Sequence, residues 1–434
     1  MRSITVFEFE HLISDAGAHS SEVGVHVVPQ AVFNWLEGAC LRSADKDDVA
    51  WLKLSQKKGR RTIQFRSYVG VIRCPGGYQI EVLPKVGKAI GGGAVEAREL
   101  LLEMLCCLQG FRHVQTDRAK LLARRMPLLE VFIAEFLGDV NHVVKQGLRS
   151  AYTVLQGNLP NLRGKLLMGR HLKQNLTRAD RFFTEHDEFT PDRPENRLIR
   201  SALMRVLDVT SSQANQQLAR ELSFAFADVP LASDVKRDFL QVRLDRGMGQ
   251  YADALAWARL ILAEQAPLTG AGANMAPSLL FPMEAVFEAF AAKHIARQLA
   301  RSFTLETQTN SLHLVHHRQQ KWFRLKPDML VRKERENQLV LDTKWKLLDA
   351  AKFNGTDKYG LAQSDFYQLQ AYGQGYLDGR GDVILVYPKT DAFNAALPVF
   401  EFPKSDGLRL WVLPFCLTGK KLLLGEGGLA DIFC

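Results

Sequence analysis

Asp328 and the trio Asp342-Thr343-Lys344 are the residues of this chain whose types and spacing suit a reaction. They lie in two apolar-flanked segments, FRLKPDMLVR (323–332) and NQLVLDTKWK (337–346), separated by the charged stretch Lys333–Glu336. The pattern reads as a β-hairpin or a pair of adjacent strands. Side chains alternate along a strand, so Asp342 and Lys344 share one face while Leu341 and Thr343 share the other. A register that brings Asp328 onto the Asp342 face makes two carboxylates and one ammonium converge. That set suits metal-assisted phosphodiester hydrolysis. Hard oxygens hold Mg²⁺, the ion polarises the phosphate and acidifies a water, and a lysine orients that water or offsets developing charge. The letters alone do not decide it, because Asp234-Val235-Lys236 repeats them in a polar stretch with no strand pattern. A bare D-x-K is most often solvated surface charge. The aliphatic flanks, and Pro327-Asp328 at hairpin distance, single out the 342–344 set.

Two helices and a further strand are expected to position these groups. FPMEAVFEAFAAKHIARQLA (281–300) puts Met283, Val286, Phe287, Phe290 and Ile295 at helical spacing, with Glu284 and Glu288 one turn apart. Glu288 is either a ligand or orienter contributed by this first helix, or an ordinary solvent-facing glutamate. SDFYQLQAYGQGYL (364–377) reads as a second amphipathic helix, on which Gln368 and Tyr372 are i and i+4 and share a face. That pair either contacts the phosphate and braces Lys344, or only packs the helix onto a sheet. DVILVYP (382–388) has the look of a buried strand. The order helix, strand, strand, helix, strand is that of a PD-(D/E)xK nuclease core. In such a site Asp328 and Asp342 would ligate the metal, the carbonyl of Thr343 would complete the protein's share, and Lys344 would position the attacking water.

Several stretches, taken in order, resemble McrC, the nuclease subunit family of the McrBC modification-dependent restriction systems. They are YVGVIRCPGGYQIEVLPKV (68–86), LRGKLLMGRHLKQN (162–175) with its Arg163-Gly164, and DEFTPDRPENRLIRSAL (187–203) with the Asp192 to Asn196 spacing. MEAVFEAF, KPDMLV, VLDTKWK and DFYQLQAY complete the set. The likeness runs over roughly residues 60–390; the first 60 residues and the tail after Pro388 match nothing placed. It implies a DNA endonuclease with a partner, an AAA+ GTPase ring of the McrB type that the N-terminal part engages and stimulates. GTP would enter only through that partner, which would also recognise the modified cytosine. Gln368-x-x-x-Tyr372 resembles the RecB-like branch of the same nuclease superfamily too.

Composition fits such a protein without pointing to it. The chain has 434 residues, is 47% hydrophobic and 24% charged, and so has room for two or three domains. Its net charge of +9 suits a polyanion such as DNA. Basic clusters lie at Lys57–Arg61, Lys120–Arg125 and Arg163–Arg178; each alone reads as a solvated face, and together they favour phosphate contact. The six cysteines form no C-x-x-C, against zinc ribbons, iron–sulfur clusters and a disulfide framework. With no signal-peptide h-region and no apolar run of spanning length, the expected place is the cytoplasm, with no membrane partner. No G-x-x-x-x-G-K-[ST] occurs, so the chain itself is not expected to hydrolyse nucleotides. His313, His316 and His317 sit in a strand-like run and suit a structural or DNA-facing role better than a metal site.

The expected architecture is α/β, in three parts. Residues 1–93 form a β-rich domain for partner engagement, 94–275 a mainly helical middle region, and 276–434 the PD-(D/E)xK endonuclease domain. Gly91-Gly92-Gly93 reads as a hinge, and 267–277 as a linker. Two other functions compete with the subunit reading: a self-sufficient RecB-like nuclease, and a non-catalytic adaptor that only activates an NTPase. The Asp328, Asp342, Lys344 set speaks against the adaptor, because a scaffold has no reason to bury two acids beside a lysine.

Overall fold

The computed structural model describes residues 3–15, 22–44, 51–57, 59–86, 93–108, 126–262, 279–309, 311–425 and 428–433. Gly91-Gly92, the 267–277 linker and the Lys120–Arg125 cluster lie outside the described residues. Two compact units emerge, Met1–Leu128 together with Gln265–Cys434, and Leu129–Glu264. The first unit thus unites both ends of the chain, where the sequence suggests separate segments at 1–93 and 276–434. No helix among the described residues is long and apolar enough to cross a membrane.

The N-terminal part of the first unit is built from β1 (Ser3–Phe7), β2 (His11–Ser14), β3 (Val25–Val28), α1 (Gln30–Ala44), β4 (Leu52–Lys57), β5 (Arg60–Phe65), β6 (Tyr68–Arg73), β7 (Gln79–Leu83) and α2 (Ala94–Leu105). β3-β2-β5-β4 form one four-stranded sheet. Val6, Leu12, Phe33, Trp51, Ile63, Phe65, Ile72 and Ile80 form the core between the strands and α1. β6 and β7 are buried along nearly their whole length, as strands covered on both faces are.

The second unit is mixed. It contains α3 (Leu128–Lys145), β8 (Ala151–Leu159), β9 (Lys165–Leu166), α4 (Met168–Asn175), β10 (Phe182–Thr190), α5 (Pro194–Leu207), α6 (Gln213–Ala225), α7 (Val235–Gln241) and α8 (Tyr251–Leu262). The helices expected near 195–208, 213–226 and 251–265 are present, but a three-stranded sheet, β8-β10-β9, accompanies them. The two long strands are mostly exposed or half-buried, with Tyr152, Val154, Leu155 and Phe189 among the exposed residues, so apolar side chains do not mark a buried face. The family-like stretches here are structural locks. Asn196 donates to the carbonyls of Arg149 and Pro191 at 2.9 and 2.7 Å and accepts from the Tyr251 hydroxyl at 2.9 Å. Arg197 grips Asp238 through both nitrogens at 2.9 and 2.7 Å and Asp192 at 2.7 Å. Gly164 is a glycine because a Cβ there would strike the Glu185 carbonyl oxygen.

The first unit resumes with β11 (Leu279–Pro282), α9 (Met283–Gln298), β12 (Phe303–Thr307), β13 (Leu312–His317), β14 (Gln320–Leu325), β15 (Met329–Lys333), β16 (Glu336–Thr343), α10 (Gln363–Leu377), β17 (Gly381–Pro388), β18 (Phe400–Glu401), β19 (Leu408–Cys416) and β20 (Lys421–Leu422). A seven-stranded mixed sheet runs β12-β15-β16-β17-β19-β18, with β20 beside β19. β16, β17 and β19 are parallel, and their near-continuous burial follows from helices covering both faces. On one face Leu369, Tyr372 and Tyr376 of α10 pack on Val340, Val383 and Leu385. On the other, Phe287 of α9 lies 5.3 Å from the Trp345 ring and 6.1 Å from Phe415.

One boundary differs from the sequence reading. Residues 323–325 belong to β14, which pairs with β13 and not with β16. Pro327 has no N–H to continue the ladder, and the chain enters the main sheet only at Met329. The tail after Pro388 supplies β19, an interior strand of the core. The two ends of the chain are also stitched together. β11 pairs antiparallel with β6, completing the sheet β1-β7-β6-β11, and α9 follows it directly.

Candidate functional site

β15 and β16 form the hairpin that the sequence predicts, with Met329 opposite Leu341. One step beyond this pair, Asp328 leads into β15 and Asp342 nearly ends β16. Both the amide N–H and the hydroxyl of Thr343 donate to Asp328 Oδ2, each at 2.7 Å. Asp342 is 1% exposed. Its Oδ2 lies 2.5 Å from Lys344 Nζ, a buried ion pair with the ammonium. The Lys344 amide is fixed to the Val386 carbonyl at 2.9 Å, which anchors the strand end on β17.

The second helix completes a network around the lysine. Lys344 Nζ donates to Gln368 Oε1 at 3.1 Å. Gln368 Nε2 donates to the Tyr372 hydroxyl at 2.8 Å and approaches Asp342 Oδ1 at 3.5 Å. Tyr372 in turn donates to the Lys326 carbonyl at 2.9 Å. The structure therefore brings Asp328, Asp342, Thr343, Lys344, Gln368 and Tyr372 together. Glu288, half-buried on α9, is near enough to feel the charges of Asp328 and Asp342.

The electrostatics are those of crowded acids. Burial, then the charge of Asp328, pushes the Asp342 carboxyl up to about 6 despite the pull of Lys344. Burial, then Asp328, pushes Glu288 up to about 7. Burial opposes the Lys344 charge, but Asp342, with Asp365 and Asp328 behind it, overcomes this and holds the ammonium above its ordinary value. Burial is the main cause of both raised acids, with the charge of Asp328 second, and a bound cation would oppose both effects. Among the described residues no three His, Cys, Asp or Glu side chains form a closed cation cage. The donors on hand are two carboxylates and the neighbouring backbone, an open oxygen set suited to a hard ion that keeps waters of its own.

Three participants have no signature in the sequence. Gln308, at a positive φ of 55° just past β12, donates through its side chain to Glu288 and through its backbone to the Asp328 carbonyl. Asp365 on α10 accepts from the Tyr387 hydroxyl at 3.1 Å, and its charge reaches Lys344 and Asp342. Trp345, next to Lys344, donates from its indole to both oxygens of Glu8 at 3.1 Å. Lys85 donates its amide to Glu8 at 3.0 Å and its ammonium to the Trp345 carbonyl at 3.2 Å. Burial outweighs these partners and raises the Glu8 carboxyl to about 7. Lys85 is the lysine of the IEVLPK stretch, so that motif ties the N-terminal strands to the residue following Lys344.

Comparisons place this geometry among known proteins. No curated protein matches the chain. Among solved structures, a half-complex from a tetradecameric assembly of Thermococcus gammatolerans McrB AAA+ hexamers with bound McrC aligns at a TM-score of 0.68 and 20% identity, over 99% of this chain and 97% of that one. The cryo-EM structure of the Thermococcus gammatolerans McrBC complex aligns at 0.50 and 22% identity, over 69% and 88%. At such identities the likeness is one of fold. The sequence itself matches the family model for the McrBC 5-methylcytosine restriction system component over residues 63–388. With three quarters of its length inside that match, the chain belongs to the McrBC family.

Proposed function

We propose that this chain is the DNA endonuclease subunit of a GTP-dependent restriction complex directed at modified cytosine, and that it binds and stimulates a McrB-type AAA+ GTPase ring. The observation that carries the reading is the meeting of Asp328, Asp342 and Lys344 at the end of one hairpin, in a chain of this family. The order of α9, the sheet strands β12, β15 and β16, then α10 and β17, with β13–β14 inserted as a separate hairpin, supports a PD-(D/E)xK core. The fold likeness to an McrB assembly with bound McrC supports the partner.

Asp328, Asp342 and the Thr343 carbonyl would hold Mg²⁺, which when bound polarises the scissile phosphate and lowers the pKa of a water. Thr343 fixes Asp328 by two hydrogen bonds, so this carboxylate is oriented before any ligand arrives. Lys344 keeps its proton, and from its place between Asp342 and Gln368 it donates to the attacking water and offsets charge growing on the phosphate. Gln368 and Tyr372 hold the ammonium in line, and Glu288, steadied by Gln308, orients water from the α9 side.

The test is cleavage of methylated plasmid by the reconstituted complex with Mg²⁺ and GTP. Asp342→Ala and Lys344→Ala should each lower cutting by about 100-fold or more, the cost of removing a group that stabilises the transition state. Stimulation of the partner's GTPase should persist in both. Full cutting by Asp342→Ala would overturn the assignment.

A further inference from the structure

β13 and β14 form a two-stranded sheet of their own, apart from the seven-stranded sheet. Residues 311–326 carry Arg318, Lys321, Arg324, Lys326 and three histidines, with no Asp or Glu to neutralise them. The outer surface is also apolar: Phe323 is 68% exposed and Trp322 44%, with Leu314 and Val315 exposed beside them. The backbone is strained where this surface is made. Arg318 and Gln319 both take positive φ in the turn, the dihedrals of a primed hairpin without its usual glycine. Phe323 sits at a φ of +54° within a strand, a strained conformation for a bulky residue, and its ring is exposed.

The base of the hairpin is fixed to the site. Tyr376 donates to the Leu325 carbonyl at 3.0 Å, and Tyr372, already in the Lys344 network, donates to the Lys326 carbonyl at 2.9 Å. Leu325 packs against Gly375 of α10, where a Cβ would come within 2.8 Å of its methyl. From Leu325 the chain reaches Asp328 in three residues. Six-residue strands extend about 20 Å, several phosphate spacings of a duplex.

We propose that the β13–β14 hairpin is a DNA-gripping arm that seats duplex DNA beside Asp328 and Asp342. Arg318, Lys321 and Arg324 contact phosphates flanking the scissile bond, and Trp322 and Phe323 lie against the groove edge. The inference rests on the nuclease reading, and its test separates the two.

The experiment measures duplex binding by the full chain in Ca²⁺ across a salt series, and cleavage by the reconstituted complex in Mg²⁺. Arg318→Ala/Lys321→Ala/Arg324→Ala should weaken binding tenfold or more and flatten the log–log salt slope by about 2 to 3, at roughly 0.9 per lost phosphate contact. Its thermal midpoint and GTPase stimulation should match wild type. The charge-conserving Arg318→Lys/Lys321→Arg/Arg324→Lys should retain binding. Arg220→Ala/Lys236→Ala/Arg237→Ala, which removes equal charge from the second unit, should leave the slope unchanged. An unchanged slope in the hairpin variant, or an equal loss in the second-unit variant, overturns the arm while leaving the nuclease reading intact. A wild-type complex that binds DNA through the hairpin but never cuts it overturns the nuclease reading and leaves the arm.

Discussion

At Asp342 one carboxylate is held ionised or protonated by a balance of burial, an acid neighbour and a lysine, and the balance can be measured without any cleavage assay. The Asp342 and Glu288 carboxyls titrate near 6 and 7 in the folded chain, above their ordinary values. The cation-free protein therefore binds extra protons when folded. That contribution to stability is complete below about pH 4 and is lost as pH rises through 6 to 7. A divalent ion should restore it. Ca²⁺ is expected to raise the thermal midpoint more at pH 8 than at pH 5.5, and Asp342→Asn to raise the cation-free midpoint at pH 8 and abolish the difference. Calorimetry reading equal Ca²⁺ shifts at both pH values in wild type would sink the two-acid site. Asp328, Asp342, Lys344, Gln368 and Tyr372 were legible as a group because strand and helix periods place them on facing surfaces. Gln308 was not, because its role depends on a left-handed residue past a strand end, and no local pattern announces that. Asp365 stood three residues from Gln368 in plain view, but only the fold brings Tyr387 and Lys344 to it.

Among the elements, β11 has the widest consequences, since four residues join the N-terminal sheet to the helix that carries Glu288. Gly70 permits the pairing. It has a φ of +129°, and a Cβ there would strike the Leu279 carbonyl oxygen. Gly70→Val should cost about 2 kcal/mol or more and loosen both ends of the first unit together, seen as a lower thermal midpoint and as amide exchange rising in β6 and β11. Wild-type protection in β11 of that variant would rule the coupling out. A truncation near Pro277, the boundary suggested by the sequence, removes β11, α9 and Trp345 in one step and leaves β6 an open edge. The helices were legible from their 3.6-residue period, and β16 and β17 from apolar runs. β8 and β10 were not, because they are exposed or half-buried over most of their length, apolar Tyr152, Val154 and Phe189 included, and so show no inside–outside alternation. Nor was the partnership of β6 with β11, since pairing across a long gap leaves no trace in local composition.

At the scale of the whole molecule, net charge and the absence of a nucleotide-binding loop shape what the chain does alone. With +9 net charge and no P-loop, its unaided grip on DNA should be mainly electrostatic, and its cutting slow. A plasmid assay in Mg²⁺ at physiological salt should show efficient linearisation only when partner and GTP are added. Rapid, sequence-dependent linearisation by the chain alone would promote the self-sufficient nuclease. The arrangement of the units also sets an order of events at the ribosome. Leu129–Glu264 is continuous and can fold as soon as it emerges, while the first unit is split around it. Lys85 waits for a backbone partner 260 residues later, and Glu8 for an indole 337 residues later. At ordinary translation rates the second wait lasts roughly 17 to 67 s. For part of that wait β6 has been made without β11, its partner at 279–282, and Glu8 has the Lys85 amide but not yet its indole donor. The β15–β16 hairpin is made after β11, so the N-terminal sheet can close first, and Glu8 gains its indole partner only once the strand bearing Asp342 exists.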